Sequence, residues 1–257
     1  MITKEEIVNN WLPRYTGTPL RQFKKYILLT NFDSYLQDFS TRFDAKIYGE
    51  NRPMQTCTSP DITIINFGIG SPLAATVMDL LKAVRPKAVL FLGKCGGLKK
   101  KNRLGDLILP IAAIRGEGTS DDYMPKEIPA LPSFQLQRAV SSVIKRKEHD
   151  YYTGTVYTTN RRIWEHDDAF KKYLKKIRAM AIDMETATLF TVGFINEIPR
   201  GALLLVSDNP MIPEGVKTEE SDGSVNRKFA SFHLDIGIEA LKELKKSGDS
   251  VKHLHFE

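Results

Sequence analysis

Apolar runs bounded by turn-forming residues recur along the chain and alternate with amphipathic stretches. The continuous apolar runs predict strands that are buried on both faces, as in a mostly parallel or mixed sheet. They cover residues 26–30, 62–70, 88–93, 106–114 and 201–208. Helical periodicity predicts helices at residues 72–84, 132–147, 167–177 and 230–246. This alternation indicates an α/β sandwich.

The chain shows no internal repeat, low-complexity segment or Pro/Gly/Ser linker, so residues 1–257 are expected to form a single domain. Two polar segments rich in turn formers, at residues 115–132 and 208–227, are predicted to be long loops. Residues 247–257 are expected to form a tail. Long loops beside strand ends are where functional sites usually form.

Length, composition and charge narrow the class of protein. With 257 residues and 42% hydrophobic residues, the chain can bury a large core. The formal net charge is +6, but the lysines and arginines are scattered over polar helical stretches. Without a basic stripe interleaved with exposed aromatic residues, a nucleic-acid-binding module is the weaker alternative. A small anionic substrate fits the basic balance better.

Cysteine and histidine usage predicts neither a disulfide framework nor a metal site. The two cysteines, Cys57 and Cys95, have no metal-ligand spacing, and a reducing cytoplasm suits them. Among the five histidines, only His253 and His255 lie close together, in the C-terminal tail. The first residues lack the apolar segment of a signal peptide, and no stretch approaches the length that crosses a bilayer. We therefore expect a cytoplasmic protein without membrane contact.

Two glycine-containing turns follow predicted strands. In residues 65–75, INFGIGSPLAA, Leu73 stands where a dinucleotide-binding motif would have its third glycine, so the motif indicates no cofactor. In residues 88–110, a strand runs into Gly96 and Gly97. Glycines let the backbone approach a flat base, although a plain chain reversal explains the pair equally well.

Two further segments, AIDMETA at residues 181–187 and LLVSDNP at residues 204–210, together resemble the active-site motifs of the nucleoside phosphorylase superfamily. The resemblance implies a three-layer α/β/α sandwich with a central mixed sheet. It also implies that Met184 packs against a sugar, that Glu185 binds sugar hydroxyls and that Asp208 acts on a purine.

Within this superfamily the chain most resembles the AMP nucleosidase family. The resemblance runs from about residue 11 to residue 246 and includes LPRYTGTP (12–19), LGKCGGL (92–98) and GTVYTTNRRIWE (154–165). It implies hydrolysis of AMP to adenine and ribose 5-phosphate, without metal or organic cofactor. It also implies a homo-oligomer, a dimer-based hexamer, in which residues 1–20 of one subunit contact a neighbour's pocket.

Departures from the phosphorylases favour water as the attacking group. Phosphorylases hold inorganic phosphate with an Arg, a small hydroxyl residue and a Gly-Asp-Pro-type loop, where this chain has Phe91, Lys94 and TNFDSY (30–35). Lys94 could still bind an anion. A purine nucleoside phosphorylase, or a nucleosidase for unphosphorylated nucleosides, therefore remains the alternative function.

The chemistry explains why two carboxylates are needed. Cleavage of a purine N-glycosidic bond requires a proton on the purine N7, and an Asp208 kept protonated by the apolar run before it could supply that proton. Glu185 could accept hydrogen bonds from ribose hydroxyls and place negative charge near a sugar cation. Alternatively, Asp208 caps a turn and Asp183 caps a helix start.

A nucleotide monophosphate also requires cationic ligands. Arg161 and Arg162 are the first candidates, beside the hydroxyls of Thr158 and Thr159, because guanidinium groups match phosphate oxygens in pairs. Weaker candidates are Arg14, Lys217 and Arg227. Tyr157 is expected beside the base, with an ordinary core tyrosine as the alternative.

Overall fold

The computed structural model describes residues 2–248 of the chain, without the side chains of residues 221 and 222. The strands are β1 (Tyr26–Thr30), β2 (Ile47–Tyr48), β3 (Gln55–Thr58), β4 (Ile62–Asn66), β5 (Ala88–Gly97), β6 (Leu107–Gly116), β7 (Tyr152–Thr159), β8 (Ala181–Asp183) and β9 (Arg200–Asp208). The α-helices are α1 (Lys4–Thr16), α2 (Asp33–Phe43), α3 (Ser71–Leu81), α4 (Phe134–Arg146), α5 (Asp168–Lys176), α6 (Thr186–Ile195), α7 (Glu219–Val225) and α8 (Ser231–Ser247). His253 and His255 lie outside the described residues.

All of these strands join one mixed sheet in the order β2-β3-β4-β1-β5-β8-β7-β6-β9. Neighbours β4, β1 and β5 run parallel, and β9 adds to β5 in the same direction. Because β5 pairs with both β8 and β9, the strands β5, β8, β7, β6 and β9 close into a ring. The predicted mixed sheet is confirmed, and its partial closure is a feature that the strand pattern did not indicate.

Helices cover both faces of the sheet. On one face, α1, α3 and α6 bury apolar side chains that include Leu12, Met78 and Phe190. On the other face, α2, α4 and α8 do the same with side chains that include Phe39 and Val140. Strand β5 is buried along its whole length because both faces are covered. This arrangement is the expected three-layer α/β/α sandwich.

Some elements of the structure were not predicted from the sequence pattern. Helix α6 is buried over nearly its whole surface, so it lacks the polar stripe by which an amphipathic helix is recognised. Helix α7 lies within the segment that was predicted to be a loop at residues 208–227. The other predicted loop is ordered around Arg115, whose guanidinium donates hydrogen bonds to the backbone carbonyls of Ser120 and Met124 at 2.8 and 2.7 Å.

A buried histidine connects helix α8 to the sheet. His233 of α8 is fully buried, and its Nε2 lies 3.0 Å from the carbonyl oxygen of Leu203 in β9. Since a carbonyl only accepts, Nε2 carries the proton and the Tyr35 hydroxyl of α2 donates to Nδ1, over 2.8 Å. Burial lowers the pKa of His233 to about 3. The imidazole is therefore neutral in the folded protein.

This histidine predicts a loss of stability in acid. The unfolded chain takes up a proton below pH of about 6.5, whereas the folded protein does not until its own pKa of about 3 is reached. Between these values the free energy of unfolding should fall by about 1.4 kcal/mol per pH unit from this group. Urea unfolding of wild type and His233→Gln at pH 7, 6 and 5 measures this effect. Parallel pH dependences in the two proteins would contradict it.

Candidate active site

A cleft that is open to solvent lies where β1, β4, β5 and β9 end. Ligands in open α/β sheets bind at this edge, outside the carboxyl ends of the strands. Its lining includes nine residues singled out from the sequence: Lys94, Gly96, Thr159, Arg161, Arg162, Asp183, Met184, Glu185 and Asp208. Lys217, a weaker candidate, lines it as well. The tertiary structure therefore gathers segments that lie more than a hundred residues apart.

The corner between β8 and α6 is built around Asp183. Its Oδ1 accepts a hydrogen bond from the Thr158 hydroxyl at 2.7 Å, and its Oδ2 accepts one from the Thr186 backbone N–H at 2.8 Å. The Thr186 hydroxyl also donates to Oδ2. Burial raises the pKa of Asp183, and these donated hydrogen bonds oppose that rise. Asp183 thus caps the start of α6, and it does so as a buried side chain.

Glu185 follows at the same corner and is 2% exposed. Its Oε1 accepts a hydrogen bond from the Gly70 backbone N–H at 2.7 Å, and its Oε2 accepts one from the Met184 N–H at 3.2 Å. Gly70 has φ 101°, a conformation that a side chain disfavours, and this turn aims its N–H into the cleft. Burial and the negative charge of Asp183 raise the pKa of Glu185. The buried carboxyl group of Glu185 therefore lines the cleft in a position fixed by two backbone N–H groups.

Asp208 ends β9 and lines the same cleft. Its Oδ1 accepts a hydrogen bond from the Ser207 hydroxyl at 2.8 Å. A Cβ at Gly96 would lie 3.4 Å from Oδ2, so glycine leaves open the space beside this carboxyl. Burial raises the pKa of Asp208 and the charge of Glu165 adds to the rise, whereas the charge of Lys217 opposes it. A raised pKa is the property that a carboxylic proton donor needs.

Two lysines stand around the aromatic ring of Phe32. The Lys94 ammonium lies 4.1 Å from the ring centroid, and the Lys217 ammonium lies 5.9 Å from it. Lys94 is 7% exposed, which is unusual for a lysine and places its charge inside the cleft. The structure therefore supplies a two-lysine cationic patch, Lys94 with Lys217, suited to an anionic group.

Both predicted arginines reach the cleft, but each has an acidic neighbour. The Arg161 guanidinium donates two hydrogen bonds of 3.0 Å to Asp167, and Arg162 lies 3.8 Å from Glu165. The charge of Arg162 also lowers the pKa of Asp208, although Lys217 lowers it more.

Several sequence-based expectations are not met by the geometry. Tyr157 packs in an aromatic cluster with Phe170 and Tyr173, and its ring covers Gly116, so it is a core tyrosine outside the cleft lining. Gly97 faces the Asn102 side chain instead of the cleft. Among the described residues that line the cleft, Arg14 and Arg227 are missing as well. Arg14 instead lies over the Trp11 ring at 5.9 Å.

The structure adds cleft residues that the motifs did not identify. They are Asn31, Phe32, Ile69, Cys95, Trp164, Glu165, Ile182 and Ser207. Asn31 and Phe32 directly follow β1. They belong to the segment TNFDSY (30–35), which stands where phosphorylases have their phosphate loop. Within residues 2–248, no group of three or more His, Cys, Asp or Glu side chains is placed to hold a metal ion.

The fold and these carboxylates define an α/β protein with a substrate cleft of the phosphorylase type. A family model described as "Phosphorylase superfamily" matches residues 25–242. The chain therefore belongs to the phosphorylase superfamily. In the part of the chain that the structure describes, no helix has the length and apolar character needed to span a membrane.

Two kinds of relatives refine this placement. The chain is 31% identical to AMP nucleosidase of Escherichia coli strain K12 over 93% of its own length, and the match spans 59% of that enzyme. The chain thus spans about three-fifths of the length of this curated relative. A crystal structure of AMP nucleosidase from Bacteroides thetaiotaomicron is 55% identical, with a TM-score of 0.87, covering 96% of this chain and 100% of that one. Uridine phosphorylase from Vibrio fischeri, at 24% identity and a TM-score of 0.78 over 87% of this chain and 93% of that one, shares the fold.

Proposed function

We propose that this protein is an AMP nucleosidase, which hydrolyses AMP to adenine and D-ribose 5-phosphate. The observation that carries the proposal is that Asp208, a half-buried carboxyl group of raised pKa, and the buried Glu185 line one cleft together with the two-lysine patch. The similarity to AMP nucleosidases of Escherichia coli and Bacteroides thetaiotaomicron supports the choice of AMP.

In the proposed mechanism, protonated Asp208 donates its proton to the purine N7. The bond between C1′ and N9 then breaks, and its electron pair goes to the purine. The sugar develops positive charge, which the carboxylate of Glu185 stabilises while it accepts hydrogen bonds from ribose hydroxyls. Water adds to C1′ and loses a proton to the medium, and Asp208 is reprotonated. Met184 provides an apolar wall for the sugar.

Water is the attacking group in this proposal for a structural reason. Phe91 is 1% exposed and packs against Phe67 in the core, with ring centroids 5.8 Å apart, so it offers no ligand to inorganic phosphate. The ring of Phe32, in the loop after β1, lies against the Lys94 ammonium. We assign the two-lysine patch to the substrate's own 5′-phosphate. Arg161, Arg162 and Thr159 line the same cleft.

The proposal also concerns partners and location. Lysines and arginines of the basic runs pair with acidic side chains, as Lys147 does with Glu239 at 2.5 Å and Lys245 with Asp61, which speaks against a nucleic-acid surface. A homo-oligomer, a dimer-based hexamer in which residues 1–20 reach a neighbouring subunit, and a cytoplasmic location complete the proposal. We expect no metal or organic cofactor.

Substrate assays test the function directly. The purified protein is incubated with AMP or adenosine, with and without inorganic phosphate, and adenine and sugar products are quantified by chromatography. We expect adenine and ribose 5-phosphate from AMP in the absence of inorganic phosphate. Adenine release from adenosine alone, or only when phosphate is added, would instead favour a nucleosidase for unphosphorylated nucleosides or a phosphorylase.

Lys94→Met tests the assignment of the 5′-phosphate site. Because the substitution removes a buried cation that faces the anionic group, we expect KM for AMP to rise roughly 10- to 100-fold. The kinetics with adenosine, where measurable, should change much less. Lys172→Met, at an exposed position of α5, is the matched control. Equal effects of Lys94→Met on AMP and adenosine would remove Lys94 from the phosphate site.

A further inference from the structure

Ser71, the first residue of α3, donates a hydrogen bond to the corner between β8 and α6. Its Oγ lies 2.7 Å from the backbone carbonyl oxygen of Met184, and because a carbonyl only accepts, the hydroxyl is the donor. Ser71 is 2% exposed and is not among the described residues that line the cleft. The hydroxyl is therefore engaged within the protein, on the backbone of the cleft-lining residue Met184.

This hydrogen bond and the one from Gly70 form a pair. The Gly70 backbone N–H donates to Oε1 of Glu185 at 2.7 Å, so two consecutive residues of one turn hold two consecutive residues of the corner. The Met184 carbonyl belongs to the same planar peptide unit as the Glu185 nitrogen. Ser71 therefore fixes the backbone from which the Glu185 side chain projects, and the Gly70 N–H fixes the carboxyl group at its end.

Helices α3 and α6 are also joined at their far ends. Asn196, directly after α6, donates a hydrogen bond of 2.8 Å from Nδ2 to Oδ1 of Asp79 in α3. Nearby, the helices approach so closely that a Cβ at Gly193 would lie 2.7 Å from the Met78 methyl group. The packing of the two helices therefore does not depend on Ser71 alone. Loss of its hydroxyl should alter the site end of the helix pair and leave the far end in place.

We propose that Ser71 is a positioning residue, whose hydroxyl holds the peptide between Met184 and Glu185 so that the Glu185 carboxyl group keeps its place at the Gly70 N–H. This inference rests on the proposed function, in which Glu185 stabilises the sugar cation. A carboxylate that acts on developing charge affects the transition state more than the bound substrate. Displacement of Glu185 should therefore lower kcat and change KM little.

Steady-state kinetics of Ser71→Ala with AMP test the inference. A displacement of about 1 Å in an active site can cost on the order of 100-fold in rate, and since the helices stay packed at their far ends, we expect kcat to fall about 10-fold. KM should stay within a few-fold of wild type. Ser71→Cys keeps the volume of the side chain but is a weak donor, so its kcat should also stay well below that of wild type. Wild-type kcat in either variant would overturn the proposal.

Ser133→Ala is the matched control. Ser133 precedes α4, is 8% exposed, and its hydroxyl oxygen accepts a hydrogen bond of 3.2 Å from the Arg200 backbone N–H. It is thus another buried serine at a helix start that bonds to a distant backbone group, and it is absent from the cleft lining in the described part of the chain. Its replacement should lower the melting temperature and leave kcat unchanged. Losses of kcat of the same size in Ser133→Ala and Ser71→Ala would speak against a specific role of Ser71.

A double-mutant cycle separates positioning of Glu185 from a general structural role. If Ser71 acts through the Glu185 carboxylate, Ser71→Ala should lower kcat only about 2-fold or less in the Glu185→Gln background, because the charge that it positions is already gone. Equal fold-losses in the wild-type and Glu185→Gln backgrounds would overturn the proposal.

Crystal structures of wild type and Ser71→Ala without substrate give a readout that needs no turnover. We expect the distance between the Gly70 nitrogen and Glu185 Oε1 to lengthen from 2.7 Å to beyond hydrogen-bonding range in the variant. If Ser71→Ala melts below the assay temperature, Ser71→Cys replaces it in each comparison. Wild type that releases no adenine from AMP, with Glu185 displaced in the variant, would refute the proposed function and keep the positioning role. Wild type that cleaves AMP, with kcat and Glu185 unchanged in the variant, would do the opposite.

Discussion

Asp208→Asn is expected to abolish most turnover while leaving substrate binding largely intact. Asparagine has nearly the same shape and can still accept the hydrogen bond that the Ser207 hydroxyl gives to Oδ1. It cannot, however, deliver a proton to the purine. Since a positioned general acid contributes typically 100- to 10,000-fold to a rate, we expect kcat to fall by about that range. KM or the dissociation constant for AMP should change by only a few-fold.

The pH profile and a control make this expectation specific. Burial and Glu165 raise the pKa of Asp208, so wild type should lose activity as pH rises through that value, because the acid form disappears. The residual activity of Asp208→Asn should lack this alkaline limb. Asp150→Asn, at an exposed site, is the matched control. If Asp208→Asn lowered the melting temperature strongly and changed kcat little, Asp208 would be a structural cap.

Glu185→Gln should lower the activity of the protein and raise its stability. Glutamine retains a carbonyl oxygen for the Gly70 N–H but loses the charge that faces the sugar cation. Removal of one preorganised electrostatic contact in an active site typically costs on the order of 100- to 1,000-fold in kcat, and we expect a loss of that size. The folded protein, by contrast, should gain stability, because burial and Asp183 disfavour the Glu185 carboxylate.

The gain in stability of Glu185→Gln over wild type should increase as pH rises. The raised pKa of Glu185 means that the folded protein holds a proton that the unfolded chain has already released. Wild type therefore loses stability as pH rises from the unfolded value of about 4.5 through the raised folded value, whereas Glu185→Gln does not. Urea unfolding at pH 6 and pH 8.5, together with steady-state kinetics, measures both effects. A variant that is inactive and also less stable at pH 8.5 would indicate a structural role for Glu185.

The site was predicted unevenly from the sequence, and the pattern has a physical basis. Met184, Glu185 and Asp208 were singled out because AIDMETA and LLVSDNP resemble motifs of the nucleoside phosphorylase superfamily, and the structure brings all three residues to one cleft. Tyr157 was misplaced because the direction of a side chain at a strand end depends on which neighbour fills the other face, here Gly116. Asn31 and Phe32 were not singled out individually, because their place in the cleft depends on elements far away in the chain.

The sequence by itself determined the α/β class and the main strands, because hydrophobic periodicity is a local property that can be read along the chain. The candidate carboxyl groups, Glu185 and Asp208, came from the resemblance of their motifs to those of a known superfamily. Only the tertiary structure decided that β5 pairs with both β8 and β9 and that Lys94 and Lys217 meet at Phe32. These contacts join residues distant in sequence, and burial and charge, which set the pKa of each carboxyl group, arise only when such residues are packed together.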